Sequence, residues 1–194
     1  QLTDESAVML VMGQDLLTVP ESTGHRLLYP YLAHRLAEYL DVSSENLPEN
    51  GELNEVACRF IAQGHQVEEI YGPLKSVATK AETLPIPDAL LRLAAIRPFR
   101  LFVTTTFDSC MARALNQKRF GGQNKTCVLA HSPSDLKDLP AAVDTMDGAF
   151  VYHLLGKLSA TPAYAITQED TVEFFLSLQS ETRKPNLLFD ELNR

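Results

Sequence analysis

Residues 104–108 read Thr-Thr-Thr-Phe-Asp, three hydroxyls, an aromatic ring and a carboxylate in five positions. The apolar run Leu101-Phe102-Val103 precedes them, and a helical pattern from Met111 to Leu115 follows. That order predicts a buried strand, a polar crest and a helix. In an open α/β sheet, ligands sit at the carboxyl ends of strands, so any chemistry belongs at this crest. Each side chain there also has a local reading. Asp108 or Ser109 can cap the helix, and strand-end threonines bond their own backbone. Ser109 and Cys110 are nucleophile types, but the sequence places no base beside them. Gly121-Gly122 reads as a turn before it reads as a phosphate cradle.

Other elements must position that crest. Residues 7–12 are a continuous apolar run ended by Gly13, as in a strand buried on both faces of a parallel sheet, with residues 13–17 turning away from it. Apolar positions at helical spacing over residues 26–40 predict a helix, with Pro30 in its first turn. A polar loop follows to residue 52. Helices are expected over 54–63 and 67–81, where Gly72-Pro73 is a second possible break, and over 85–95. Tyr29, Tyr31, Phe60 and Tyr71 belong to the core faces of these helices. Short strands are expected at 126–130 and 149–156, the latter stopped by Gly156, with a solvated turn at 135–139 and an edge strand at 163–166. Thr167-Gln168-Glu169-Asp170 has the form of a capping box opening a helix to Gln179, and residues 187–192 are helical or frayed. Asp144, Asp147, Glu169 and Asp170 fall in solvated loops or helix starts. The fold class is α/β: a Rossmann-like, mostly parallel sheet flanked by helices, with a helical insertion around residues 26–95.

The 194 residues suit one domain, able to bury roughly 70% of its unfolded surface. The net charge of -8, with no run of Lys or Arg to offset it, disfavours nucleic acid and anionic membranes. No apolar run is long enough for a transmembrane helix. Cys58, Cys110 and Cys127, odd in number and set in apolar stretches, read as buried free thiols of a reducing, cytoplasmic compartment. No histidine or cysteine spacing suits a metal. The start at Gln1, and a last helix with no closing strand, lead us to expect a domain excised from a longer protein that continues beyond Arg194.

Three segments in order carry a family likeness: an apolar run then Gly13, an apolar run then Thr104 to Asp108, and an apolar run then Leu154-Leu155-Gly156. Together they resemble the sirtuin superfamily, and within it the sirtuin-like domains of bacterial anti-phage defence proteins. Residues 164–170, with Phe174, resemble the stretch that follows the third motif in that branch. The likeness spans about Val8 to Phe175. It implies an NAD pocket in which Gly13, Gln14, Asp15, Thr105, Asp108 and Gly156 hold NAD or an NAD-derived nucleotide. It also implies cleavage of the nicotinamide–ribose bond, by a deacylase or an NAD hydrolase. The deacylase branch carries a zinc ribbon of paired Cys-x-x-Cys, which this sequence lacks, so no metal is expected.

The departures fall on the reagents. The family's Gly-Ala-Gly-x-Ser loop keeps only Gly13, and Asp15 brings negative charge to a phosphate position. Thr106 stands where the family has an asparagine that orients ribose and water. Leu155 stands where it has the histidine base, and a leucine moves no proton. His153 points to the same face of the strand as Leu155 but sits roughly 7 Å back along it, too far for the roughly 3 Å contact of a general base without a slipped register. The structural positions are kept and the reagents are lost. The expected function is therefore a catalytically degenerate sirtuin-like module of a bacterial defence protein, serving regulation, ligand sensing or assembly. Its expected partners are a fused domain and further copies of itself. The alternative is an active NAD hydrolase using Thr106 and His153. A third reading is a nucleotide-binding domain unrelated to sirtuins.

Overall fold

A computed structural model of the chain describes residues 9–22, 24–48, 52–141 and 148–193. Four strands form one parallel sheet: β1 (Leu10–Met12), β4 (Leu101–Thr104), β6 (Phe150–His153) and β5 (Cys127–Ala130), in the order β1-β4-β6-β5. Val103 lies opposite Val11 on one side and Tyr152 on the other, and His153 lies opposite both Thr104 and Ala130. The two central strands, Leu-Phe-Val-Thr and Phe-Val-Tyr-His, are buried at every position, which is why they are continuous apolar runs rather than alternating ones. The outer strand β1 departs from the expected double burial. Among the described residues it has a neighbour on one side only, and Val11 is 57% exposed.

Side-chain alternation divides the core between the sheet's two faces. Phe102 and Val151 join the larger cluster with the helices of the insertion. Leu101, Val103, Phe150 and Tyr152 join a smaller one with Leu139 and Leu188. The insertion comprises α1 (Leu28–Leu40), α2 (Glu52–Ala62), α3 (Tyr71–Ala81) and α4 (Asp88–Ala95). Helix α1 packs on α2 and α3, and α4 packs on α5 (Cys110–Arg119). Pro30 and Pro73 both lie in first turns, where the missing N–H costs nothing, so Gly72-Pro73 does not break α3. Helices α6 (Gln168–Gln179) and α7 (Asn186–Leu192) complete the order.

Two local expectations are corrected. β2 (Thr18–Glu21) and β3 (Gly24–Leu27) pair as an antiparallel ribbon where no strand was expected, and the helix expected from residue 26 begins at Leu28. Pro20 is tolerated because a two-stranded ribbon is all edge. Residues 163–166 are not an edge strand. Tyr164 instead turns inward between Phe107 and Tyr71, at ring separations of 4.7 and 5.1 Å, and leaves one isolated bridge to Gly156. The thiols are also corrected: Cys58 and Cys127 are exposed and Cys110 is half-buried. Cys127 opens an outer strand, which explains its exposure. Asp144 and Asp147 lie outside the described residues.

Candidate functional site at the carboxyl edge of the sheet

Beyond the carboxyl ends of the strands lies a cleft of about 210 Å³. Gln14 reaches it from the turn after β1, and Phe107 from the crest after β4. Residues 165–168 reach it from the segment between β6 and α6, and Tyr29 closes it from the first turn of α1. The start of α2 supplies Glu52 and Asn54. Segments after three different strands therefore converge on one crevice.

Local chemistry fixes the rim. Thr167 Oγ1 accepts from the Asp170 amide at 3.1 Å, while Asp170 Oδ2 accepts from the amides of Thr167 and Ile166, each at 2.9 Å. This is the capping box read from the sequence. Asn54 Oδ1 accepts from the Gln168 amide at 2.9 Å, tying α2 to α6 across the cleft. These bonds occupy much of the first turn of α6, which would otherwise present bare N–H groups to an anion.

The hydroxyls and the carboxylate at the crest bond locally, and none of them lines the cleft. Thr104 Oγ1 accepts from the Thr106 amide at 3.1 Å and lies 2.8 Å from Thr106 Oγ1, so these two hydroxyls serve each other and the backbone. Thr105 is exposed, and its amide donates to the Met12 carbonyl at 3.1 Å. Asp108 Oδ1 accepts from the Cys110 amide at 2.9 Å, bracing the start of α5, and its other oxygen accepts from the Tyr29 hydroxyl at 3.5 Å. Burial, followed by the Asp108 carboxylate, holds the Tyr29 hydroxyl well above its ordinary pKa. The same two causes push the Cys110 thiol up, away from the reactive thiolate.

His153 is buried at the end of β6 with Nδ1 2.6 Å from the Thr106 carbonyl oxygen. A carbonyl only accepts, so Nδ1 carries the proton and Nε2 is left as a bare acceptor. Nε2 is buried and without a partner among the described residues. Desolvation holds the ring's pKa down against the Thr106 carbonyl and Asp108, which raise it, so the neutral form prevails. His131, one residue beyond β5, is equally buried, with Nε2 3.1 Å from Ser177 Oγ and Nδ1 without a partner among the described residues. Neither imidazole lines the cleft.

Of the residues expected to hold or cleave a nucleotide, Gln14 alone lines the cleft. Gly13 precedes it with an exposed backbone, and Asp15 points to solvent. Thr106 and His153 are buried, Asp108 is half-buried and Thr105 is exposed, and none of the four lines the cleft. Leu155 is half-buried in the turn after β6, where its carbonyl accepts from the Ala165 amide at 2.9 Å. Gly156 is a packing position: its φ is +83°, and a Cβ there would lie 2.2 Å from the Ala163 carbonyl oxygen. Tyr29, Glu52, Asn54 and Phe107 carry the site, and of these only Phe107 lay in a motif.

This donor set can hold the sugar and base of a nucleotide. Amides at Gln14, Asn54 and Gln168 and the hydroxyl of Thr171 suit ribose hydroxyls, and the rings of Tyr29 and Phe107 suit a planar base. It does not fit a pyrophosphate. Glu52 is the one acidic or basic side chain in its lining, and among the described residues no Lys, Arg or glycine loop faces it. The volume is also below the roughly 300–1,000 Å³ of pockets that engulf whole small molecules. Fold and site together define an α/β protein with a small polar cleft at the carboxyl edge of a parallel sheet. Compared with known proteins, the chain matches no family model and no curated protein.

Proposed function

We propose that this chain is a sirtuin-like ligand-sensing domain, part of a bacterial defence protein, which recognises the ribosyl end of NAD or an NAD-derived nucleotide without cleaving it. One observation carries the reading: the cleft offers amides, hydroxyls, rings and one carboxylate, while both nearby imidazoles are sealed in the core. Groups that hold a sugar are present, and a histidine that could take its proton is not. An assembly role for the same module draws support from α6, where Val172, Phe175 and Leu176 form an exposed apolar stripe at helical spacing.

A second reading, residual NAD hydrolysis, is favoured by Glu52, a residue only 8% exposed that lines the cleft. Such a group can stabilise positive charge developing on a ribose as its bond to the base breaks. Calorimetric titration with NAD and with ADP-ribose, beside an assay of nicotinamide release, separates the two. The expected result is saturable binding, weakened in Gln14→Ala and Asn54→Ala, with no release of nicotinamide. Absence of binding to either ligand would defeat the sensing function. Turnover that disappears in Glu52→Gln, or in both Thr106→Ala and His153→Ala, would establish the hydrolase instead.

A further inference from the structure

Glu52 opens α2 and lines the carboxyl-edge cleft, yet it makes no hydrogen bond or ion pair with another described residue. We propose that Glu52 makes this cleft selective for a nucleoside whose base carries a positive charge, against the same nucleoside with a neutral base. This selectivity rests on the ligand-sensing function proposed above and specifies the form of its ligand. An oxidised nicotinamide ring is a pyridinium cation, and the reduced ring is neutral.

The N–H groups of a helix's first turn favour an acid, but that effect asks for no burial. Glu55, in the same turn of α2, is less buried and pairs with Arg59 at 2.7 Å. Glu52 has no such partner, and no Lys or Arg among the described residues lines the cleft. His34 is within electrostatic reach of Glu52, but burial, and then Arg26, lower its pKa, so the uncharged ring prevails at neutral pH. Arg26 is itself paired with Glu21 at 3.5 Å. A carboxylate drawn out of water without a partner is costly, and a cation bound beside it removes that cost.

The aromatic wall works in the same direction. Tyr29 and Phe107 line the cleft with ring centres 4.9 Å apart and planes tilted by 54°. The Tyr29 hydroxyl accepts from the Phe107 amide at 2.8 Å and donates to Asp108 Oδ2 at 3.5 Å, so its ring is held in place. The faces of such rings carry negative charge density and attract a cation. A charged base therefore meets ring faces and a carboxylate together. Its neutral counterpart, with the same sugar contacts, leaves Glu52 buried and unpaired.

Calorimetric titration of the chain with nicotinamide riboside and with its reduced, uncharged form tests the selectivity. The oxidised form should bind at least ~10-fold more tightly. Glu52→Gln keeps the size and removes the charge, and it should abolish most of that preference; Glu52→Asp keeps the charge and should retain it. Glu55→Gln, at a residue paired with Arg59 and outside the lining, should behave as the unmodified chain does. The comparison of ring forms uses the unmodified chain, so it does not depend on any variant folding. N1-methyladenosine, a cation at neutral pH, against adenosine assigns the source. A preference in both pairs marks a general site for charged bases, a preference in the nicotinamide pair alone marks that ring, and both support the proposal. Equal binding of the two ring forms overturns it and leaves the sugar-binding function standing. A preference that persists in a folded Glu52→Gln overturns the role of Glu52. Absence of binding by every nucleoside defeats the selectivity and the sensing function together.

Discussion

At the scale of single residues, two glycines of the resembled motifs do different work. Gly156 carries the chain past residues 163–164 at a separation that admits no side chain, with a Cβ 2.2 Å from one backbone atom and 2.4 Å from another. Its φ of +83° is also costly for any L side chain. Gly156→Ala must therefore push the 163–164 segment outward, and that segment leads directly into the cleft-lining residues 165–168. We expect a loss of about 1–3 kcal/mol in urea unfolding, together with weaker ligand binding. Gly13 has an ordinary φ of -108° and nothing within 4 Å of where a Cβ would stand. Gly13→Ala should change stability by less than ~0.5 kcal/mol. Equal stability losses in the two variants would contradict this assignment of roles.

At the scale of elements, the capping box of α6 both starts a helix and sets one wall of the site. Thr167→Ala leaves the Asp170 amide without its acceptor, and the expected cost is ~1 kcal/mol, seen as a lower thermal midpoint. Thr167→Ser keeps the oxygen and should restore most of it. A serine variant as unstable as the alanine one would show that methyl packing, not capping, is what matters there. This helix start was legible in the sequence because Thr167-x-x-Asp170 is a local code, read within one turn. The central strands were legible for a related reason: burial on both faces demands unbroken apolar runs such as residues 101–103 and 150–152. The hairpin of β2 and β3 was not, since among its described residues Val19 alone is buried and no Asn-Gly or Asp-Gly pair joins the strands. Most of the site was also beyond local reading. Tyr29 meets Phe107 across 78 positions, and Asn54 meets Gln168 across 114, contacts that exist only once the insertion has packed.

At the scale of the whole molecule, the two sealed imidazoles link folding to pH. Burial lowers the pKa of His131, and burial outweighs the Thr106 carbonyl and Asp108 at His153, where Lys157 adds to the lowering. In the unfolded chain both titrate near the ordinary value of about 6.5. Below that pH the unfolded state binds protons that the folded state refuses, so unfolding becomes easier as pH falls. The sign is fixed: this contribution is whole above about pH 7 and is lost on acidification through pH 6.5 toward the depressed folded values. The limiting slope is about 1.4 kcal/mol per pH unit for each histidine. Urea unfolding between pH 5.5 and 8 should show a plateau at the alkaline end and a falling limb below, with a shallower limb in His131→Gln. Stability that stays level or rises on acidification would mean that the rings are reached by solvent. That result would bear on function as well, because a His153 able to take up a proton in the folded chain is what a hydrolase using Thr106 and His153 needs and the sensing domain excludes.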